Sequence, residues 1–223
     1  MRKSIAQGHR GARRIRMALG SALLLAVVTL AATAAAAPAQ NCSVCGKNLI
    51  RNPGAESGAG ITAVGAFGAV PGWTNTAGQF GAASYAFPNG WFSAKSKGPL
   101  RRGKNYFFGG TTTEAVQAKA SIGTQTIKLA PAAAGRKATL SGWLGNYGKN
   151  TSQVRAEFAD AGGKVLARLR IGPDSTIAGT DMARRSRTAT VPRGATQVTI
   201  VVTFTGGNNY NLAGADDLSL VLS

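Results

Sequence analysis

At 223 residues, with 26 lysines and arginines against 8 acids, the chain carries a net charge of +18. Its one histidine, His9, lies in a leading segment that reads as removable, which excludes Ser-His-Asp and Cys-His machinery from the remainder. Sparse charge, 30 glycines and Thr and Val gathered in the second half are the composition of a β-rich protein with many turns.

Residues 2–16 hold Arg2, Lys3, His9, Arg10, Arg13, Arg14 and Arg16, and no acid. An apolar run over residues 17–30 follows, then small residues from 31 to 39, with Pro38 before Gln40. A positive stretch, a short apolar core and an Ala-rich cleavage region make a secretory signal peptide. The alternative is a membrane anchor, but the apolar part is shorter than the ~20 residues needed to span a bilayer and ends without a charged stop. Arg13-Arg14 lacks the usual hydrophobic partner of a twin-arginine signal, and no lipobox precedes Cys42. The expected organisation is a signal peptide over 1–40, a short segment with a cysteine pair over 41–47, and a β-sandwich over 48–223. The signal holds 6 of the Lys and Arg residues and no acid, so the exported part keeps a charge of +12. That part is expected outside the cell or at its surface, as a monomer.

Cys42 and Cys45, with two residues between them, stand before the first strand in a chain expected in an oxidising compartment, and are expected to form a local disulfide. A zinc site would need two further ligands, and a catalytic thiol is the remaining alternative.

The first predicted strand is residues 48–52, ended by Pro53-Gly54. Residues 53–78 are rich in Gly and Ala, with Val70-Pro71-Gly72-Trp73 as their one strong feature. A strand is expected around 80–87, then a long basic loop to Lys104, then a short aromatic strand over 106–108. Alternation predicts strands over 118–129, 138–144 and 154–158. Asp160-Ala161-Gly162-Gly163 is a hairpin turn. Strands over 165–171, 188–191, 198–204 and 217–222 complete the chain. Eight or nine short antiparallel strands predict a two-sheet antiparallel β-sandwich of jelly-roll type.

Several segments, in order, resemble carbohydrate-binding modules with the galactose-binding-like jelly roll. They are Asn48-Leu49-Ile50-Arg51-Asn52-Pro53-Gly54-Ala55-Glu56, Val70-Pro71-Gly72-Trp73, Thr124-Gln125-Thr126-Ile127-Lys128-Leu129, Leu140-Ser141-Gly142-Trp143-Leu144 and Gly214-Ala215-Asp216-Asp217-Leu218-Ser219-Leu220. The resemblance spans residues 48–222. It implies adjacent N- and C-terminal strands and a structural calcium at their junction, held by Glu56 and Asp216. Calcium takes 6–8 oxygens, so backbone carbonyls of the Gly-rich turns would supply the rest. The alternative is that Glu56 caps a turn and Asp216 accepts backbone hydrogen bonds at a strand start.

No pair of carboxylates can be placed across a cleft from the sequence, so the expectation is a non-catalytic binder. Sugar rings stack on aromatic faces while amides bond their hydroxyls. The aromatics outside clear core positions are Trp73, Trp91, Phe92, Tyr147 and Tyr210. Two of them sit in Asn-rich turns, Asn146 beside Tyr147 and Asn209 beside Tyr210, and such loops are plausible ligand surfaces. Trp91 with Phe92, near Lys95 and Arg101, is the most suggestive exposed group. Trp73 and Trp143 are expected in the core. The predicted ligand is a polysaccharide or cell-envelope glycan, bound by Trp91, Phe92, Asn146, Tyr147, Asn209 and Tyr210. The alternative is a structural or adhesive surface protein held to anionic envelope polymers by charge. Specific nucleic-acid binding is not expected, because the cations are spread rather than gathered on one element with aromatics.

Overall fold

Alternation of apolar and polar residues favours strands that bury one face. A computed structural model describes residues 42–87, 92–112, 119–174, 179–207 and 210–223, and gives ten strands among them. They are β1 (Thr74–Ala77), β2 (Gly81–Ser84), β3 (Asn105–Phe108), β4 (Ala120–Lys128), β5 (Lys137–Gly145), β6 (Thr151–Ala159), β7 (Val165–Asp174), β8 (Met182–Thr190), β9 (Gln197–Thr205) and β10 (Gly214–Leu222). One five-stranded sheet runs β1-β4-β9-β6-β7 and the other β2-β3-β10-β5-β8. All named pairings are antiparallel. This is the jelly-roll sandwich expected from the sequence, within a compact unit over Gln40–Ser223.

The core between the sheets is the sum of the alternating faces. Val154, Ala156 and Phe158 of β6, Leu169 and Ile171 of β7 and Val198, Ile200, Val202 and Phe204 of β9 meet Ala138, Leu140 and Leu144 of β5 and Leu218, Leu220 and Leu222 of β10. Burying each large aliphatic side chain contributes roughly 1.5–3 kcal/mol. Phe80 stacks between Phe107 and Phe204 at centroid distances of 5.6 and 6.0 Å. Trp73 closes this group against Phe107 at 5.0 Å and is half-buried. A second apolar cluster joins Ile61, Ala83, Tyr85, Phe92, Tyr106, Phe108, Met182 and Leu212, with Trp143 packed against it.

The predicted strand over 48–52 does not form. β3 covers only Gly214 and Ala215 of its edge of β10, and the N-terminal segment caps the rest with single bonds. Gly46 N–H donates to Leu222 O, Leu49 N–H to Leu220 O, and Leu218 N–H to Pro53 O. The Asn48 side chain takes the place of a ladder, donating to Leu218 O and accepting from Leu220 N–H and Ile50 N–H. The segment over residues 46–53 and the C-terminal strand are thus adjacent, as the resemblance implies, without a full N-terminal strand. The Cys42–Cys45 disulfide closes the start of this segment.

Candidate functional site

At one end of the sandwich, β5 leads through residues 146–150 into β6, and β9 leads through 206–213 into β10. Gly145 and Gly214 are direct cross-strand partners at the base of these two loops. The Phe92 ring lies on both: a Cβ at Gly145 would stand 2.5 Å from it and one at Gly214 2.7 Å. Only hydrogen at these positions admits the ring. Tyr106 meets Phe92 edge-on at 5.3 Å. Phe92 is therefore a fully buried anchor and not the exposed ligand contact expected of it. The reason is the paired glycines, which open a slot of ring size.

Asn150 joins the two loops. Its Oδ1 accepts from Gly207 N–H at 3.1 Å and from Leu212 N–H at 3.2 Å, while its Nδ2 donates to Tyr147 O. The same residue thus closes the 147–150 turn and ties it to the loop that carries Tyr210. The loops also touch where Gly207 faces Lys149. This framework leaves Tyr147 48% and Tyr210 39% exposed. Asn146 is corrected as well: it is buried to 1% exposure, with neither amide atom hydrogen-bonded among the described residues. It stands between Gly145, at the end of β5, and the 147–150 turn that Asn150 closes, with its side chain turned inward. Trp91 and Asn209 lie outside the described residues.

A further aromatic surface went unread in the Gly/Ala-rich stretch. A cleft of about 380 Å³ is lined by Phe67, Val70, Pro71, Trp73, Asn75 and Phe80, among others. Phe67 is 50% exposed there. Trp73 contributes its half-buried ring and uses its Nε1–H on Arg51 O and Asn52 O. Val70-Pro71-Gly72-Trp73 marked half of this cleft, whereas nothing in the pattern singled out Phe67.

The two carboxylates expected at the chain junction do come together. A Cβ at Gly54 would stand 3.0 Å from Asp216 Oδ1 and 3.6 Å from Glu56 Oε1, so both acids face the backbone of one residue. Glu56 accepts from Lys104 N–H and Asn105 N–H. Asp216 is 1% exposed, accepting from Tyr85 O–H at 2.8 Å and Asp217 N–H at 2.6 Å. Burial pushes Asp216 up to about 8, against the pull of its two hydrogen bonds; the charges of Asp217 and Glu56 add to the rise. Tyr85 is pushed up as well, by its own burial first and then by Asp216. Each carboxylate oxygen accepts one protein hydrogen bond and keeps a second lone pair. A buried acid facing a second acid is a place where a cation relieves repulsion, so the donors fit calcium in kind. Among the described residues no third acid, histidine or cysteine joins them.

No family model and no curated protein matches the chain. Solved structures do. The enzymatically active domain of bacteriophage CBA120 tailspike protein 4 aligns at 17% identity and TM-score 0.50, over 79% of this chain but only 21% of that one. A cyclase from Fischerella sp. TAU aligns at 16% identity and TM-score 0.51, over 78% of this chain and 95% of that one. A CBM61 module in complex with β-1,4-galactotriose aligns at 16% identity and TM-score 0.47, over 79% and 99%. The alignments at TM-score 0.50 and 0.51, at these identities, speak for the fold alone.

Proposed function

We propose that the chain is an exported, non-catalytic carbohydrate-binding module that takes a polysaccharide or cell-envelope glycan at the loop end of its sandwich. The observation that carries this reading is the Asn150 bridge, which holds the Tyr147 and Tyr210 loops together with both rings exposed. Rigid aromatic faces on pinned loops stack on sugar rings at little ordering cost. Trp91 and Asn209, neighbours in sequence of Phe92 and Tyr210, are proposed to add stacking and hydroxyl contacts. Calcium held by Glu56 and Asp216 would be structural, fastening the N-terminal segment to β10. The test of function is a glycan array followed by affinity electrophoresis, with reducing-sugar release assayed in parallel. Saturable retention on a glycan without release of sugar supports the reading; no retention on any glycan refutes it.

A second reading is favoured by the +12 charge of residues 41–223. In it the protein is structural or adhesive and held to anionic envelope polymers. It requires salt-sensitive adhesion without saturable sugar affinity.

A further inference from the structure

β7 and β8 are the last strands of the two sheets and lie on the same side of the sandwich. Between them opens a cleft of about 410 Å³, lined by Arg155, Arg168, Leu169, Arg170, Arg187 and Thr188, with Ala189. The strand register explains the gathering of charge. Val154 and Ala156 point inward, so Arg155 points out, and it stands directly opposite Arg170 of β7. Arg168, next but one along β7, stands opposite Glu157. Arg187 reaches the cleft from the other sheet: it pairs with Leu140, whose side chain is in the core, so it starts on the inner face of an edge strand.

Two of the four arginines are occupied. Glu157 Oε1 accepts from Arg155 Nε at 2.8 Å and from Arg168 Nε at 2.9 Å. The side chains of Arg170 and Arg187 are exposed and have no ion pair or hydrogen bond among the described residues. One acid thus stands against four guanidinium groups. Like charges placed directly opposite across a strand pair are destabilising, and Arg155 with Arg170 is such a pair. An inward charge on an edge strand also blocks edge-to-edge pairing, and this alone would account for Arg187. It does not account for Arg170 facing Arg155, nor for the convergence of both sheets on one cleft.

We infer that this cleft is an anion site for an acidic polysaccharide, with Arg170 and Arg187 as the groups that bind its carboxylate or sulfate oxygens. The four cations lining it are all arginine, whose planar fork matches an oxyanion with two parallel hydrogen bonds, where lysine offers only a point charge. A nucleobase is disfavoured as the occupant, because the lining residues include no aromatic platform for it. The inference turns the diffuse charge of the second reading into a defined site, and it depends on neither loop tyrosine.

The experiment is affinity electrophoresis and calorimetry of the purified protein with polygalacturonate (carboxylate), dextran sulfate (sulfate), neutral dextran and duplex DNA. Expected is retention on one of the two acidic polysaccharides and none on neutral dextran. Arg170→Ala with Arg187→Ala should weaken that binding by about tenfold without lowering Tm. Arg170→Lys with Arg187→Lys keeps the charge and should still lose most of the affinity. Lys47→Ala with Lys128→Ala removes the same charge from exposed positions elsewhere and should change little. Tyr147→Ala should leave acidic-polymer binding intact, which separates this site from the loop end. The inference is overturned if the arginine and lysine pairs weaken binding equally, if the Lys replacements bind as well as wild type, if no acidic polysaccharide is retained, or if DNA binds as tightly as the polysaccharide.

Discussion

Asn150 is the residue on which the proposed loop site rests. It satisfies two backbone N–H groups of the neighbouring loop with one side-chain oxygen. Removing that oxygen leaves the Leu212 donor buried and unpaired, a loss of about 1–3 kcal/mol. Asn150→Ala should therefore lower Tm and weaken glycan binding together, whereas Tyr147→Ala should weaken binding alone; thermal denaturation beside affinity electrophoresis separates the two. Phe92 shows the limit of residue-scale reading from sequence. Beside Trp91 in a basic loop it reads as exposed. Its burial is decided by Gly145 and Gly214, distant in sequence and adjacent only once β5 and β10 pair. A Gly214→Ala substitution should push the ring out at a cost of about 1–3 kcal/mol, read as a fall in Tm. The exposure of Tyr147 and Tyr210 was legible because a ring in an Asn-rich turn has little to pack against.

At the scale of elements, the strands with clean alternation were legible from β4 through β7 and again in β9. β8 was read only at its end, over 188–191, because Arg184, Arg185 and Arg187 give it charge on both faces, which an edge strand tolerates. β1 was missed: Thr74–Ala77 is exposed along most of its length and has no apolar face to announce it. The outer face of β6 and β7 carries its own pH dependence. Burial would raise the Glu157 pKa, but the hydrogen bonds and charges of Arg168 and Arg155 outweigh it and hold the carboxyl below its ordinary value. The folded state then binds fewer protons than the unfolded one, so this contribution is present above the unfolded pKa of about 4.3 and lost as pH falls below it. Glu157→Gln should melt below wild type at pH 7, and the gap should shrink as pH falls below the unfolded pKa of about 4.3. A gap that stays constant across that range would contradict the pairing. The junction of the N-terminal segment and β10 belongs to this scale too. Calcium should raise the wild-type Tm, chelator should reverse the gain, and Glu56→Ala or Asp216→Ala should abolish it; equal melting curves with calcium and with chelator would remove the metal from the account.

For the molecule as a whole, the two-sheet sandwich was legible because its core is built from faces of period two, which need no long-range knowledge to recognise. What joins the faces was not. The arginine cleft between β7 and β8 arises where separate strands of both sheets meet, and no local pattern encodes that meeting; the aromatic cleft at Phe67 is built within residues 67–80, a Gly- and Ala-rich stretch whose lack of alternation gives Phe67 no sign of exposure. The export reading makes its own demand: a secreted product whose N-terminal residue, found by sequencing, lies at or close to Gln40. The central claim is recognition of a glycan at the loop end, and affinity electrophoresis of wild type beside Tyr147→Ala and Tyr210→Ala tests it most directly. The account predicts saturable retention of wild type on at least one polysaccharide, weakened about fivefold in each variant by loss of a stacking face worth about 1 kcal/mol. Retention that is identical in all three proteins would contradict it.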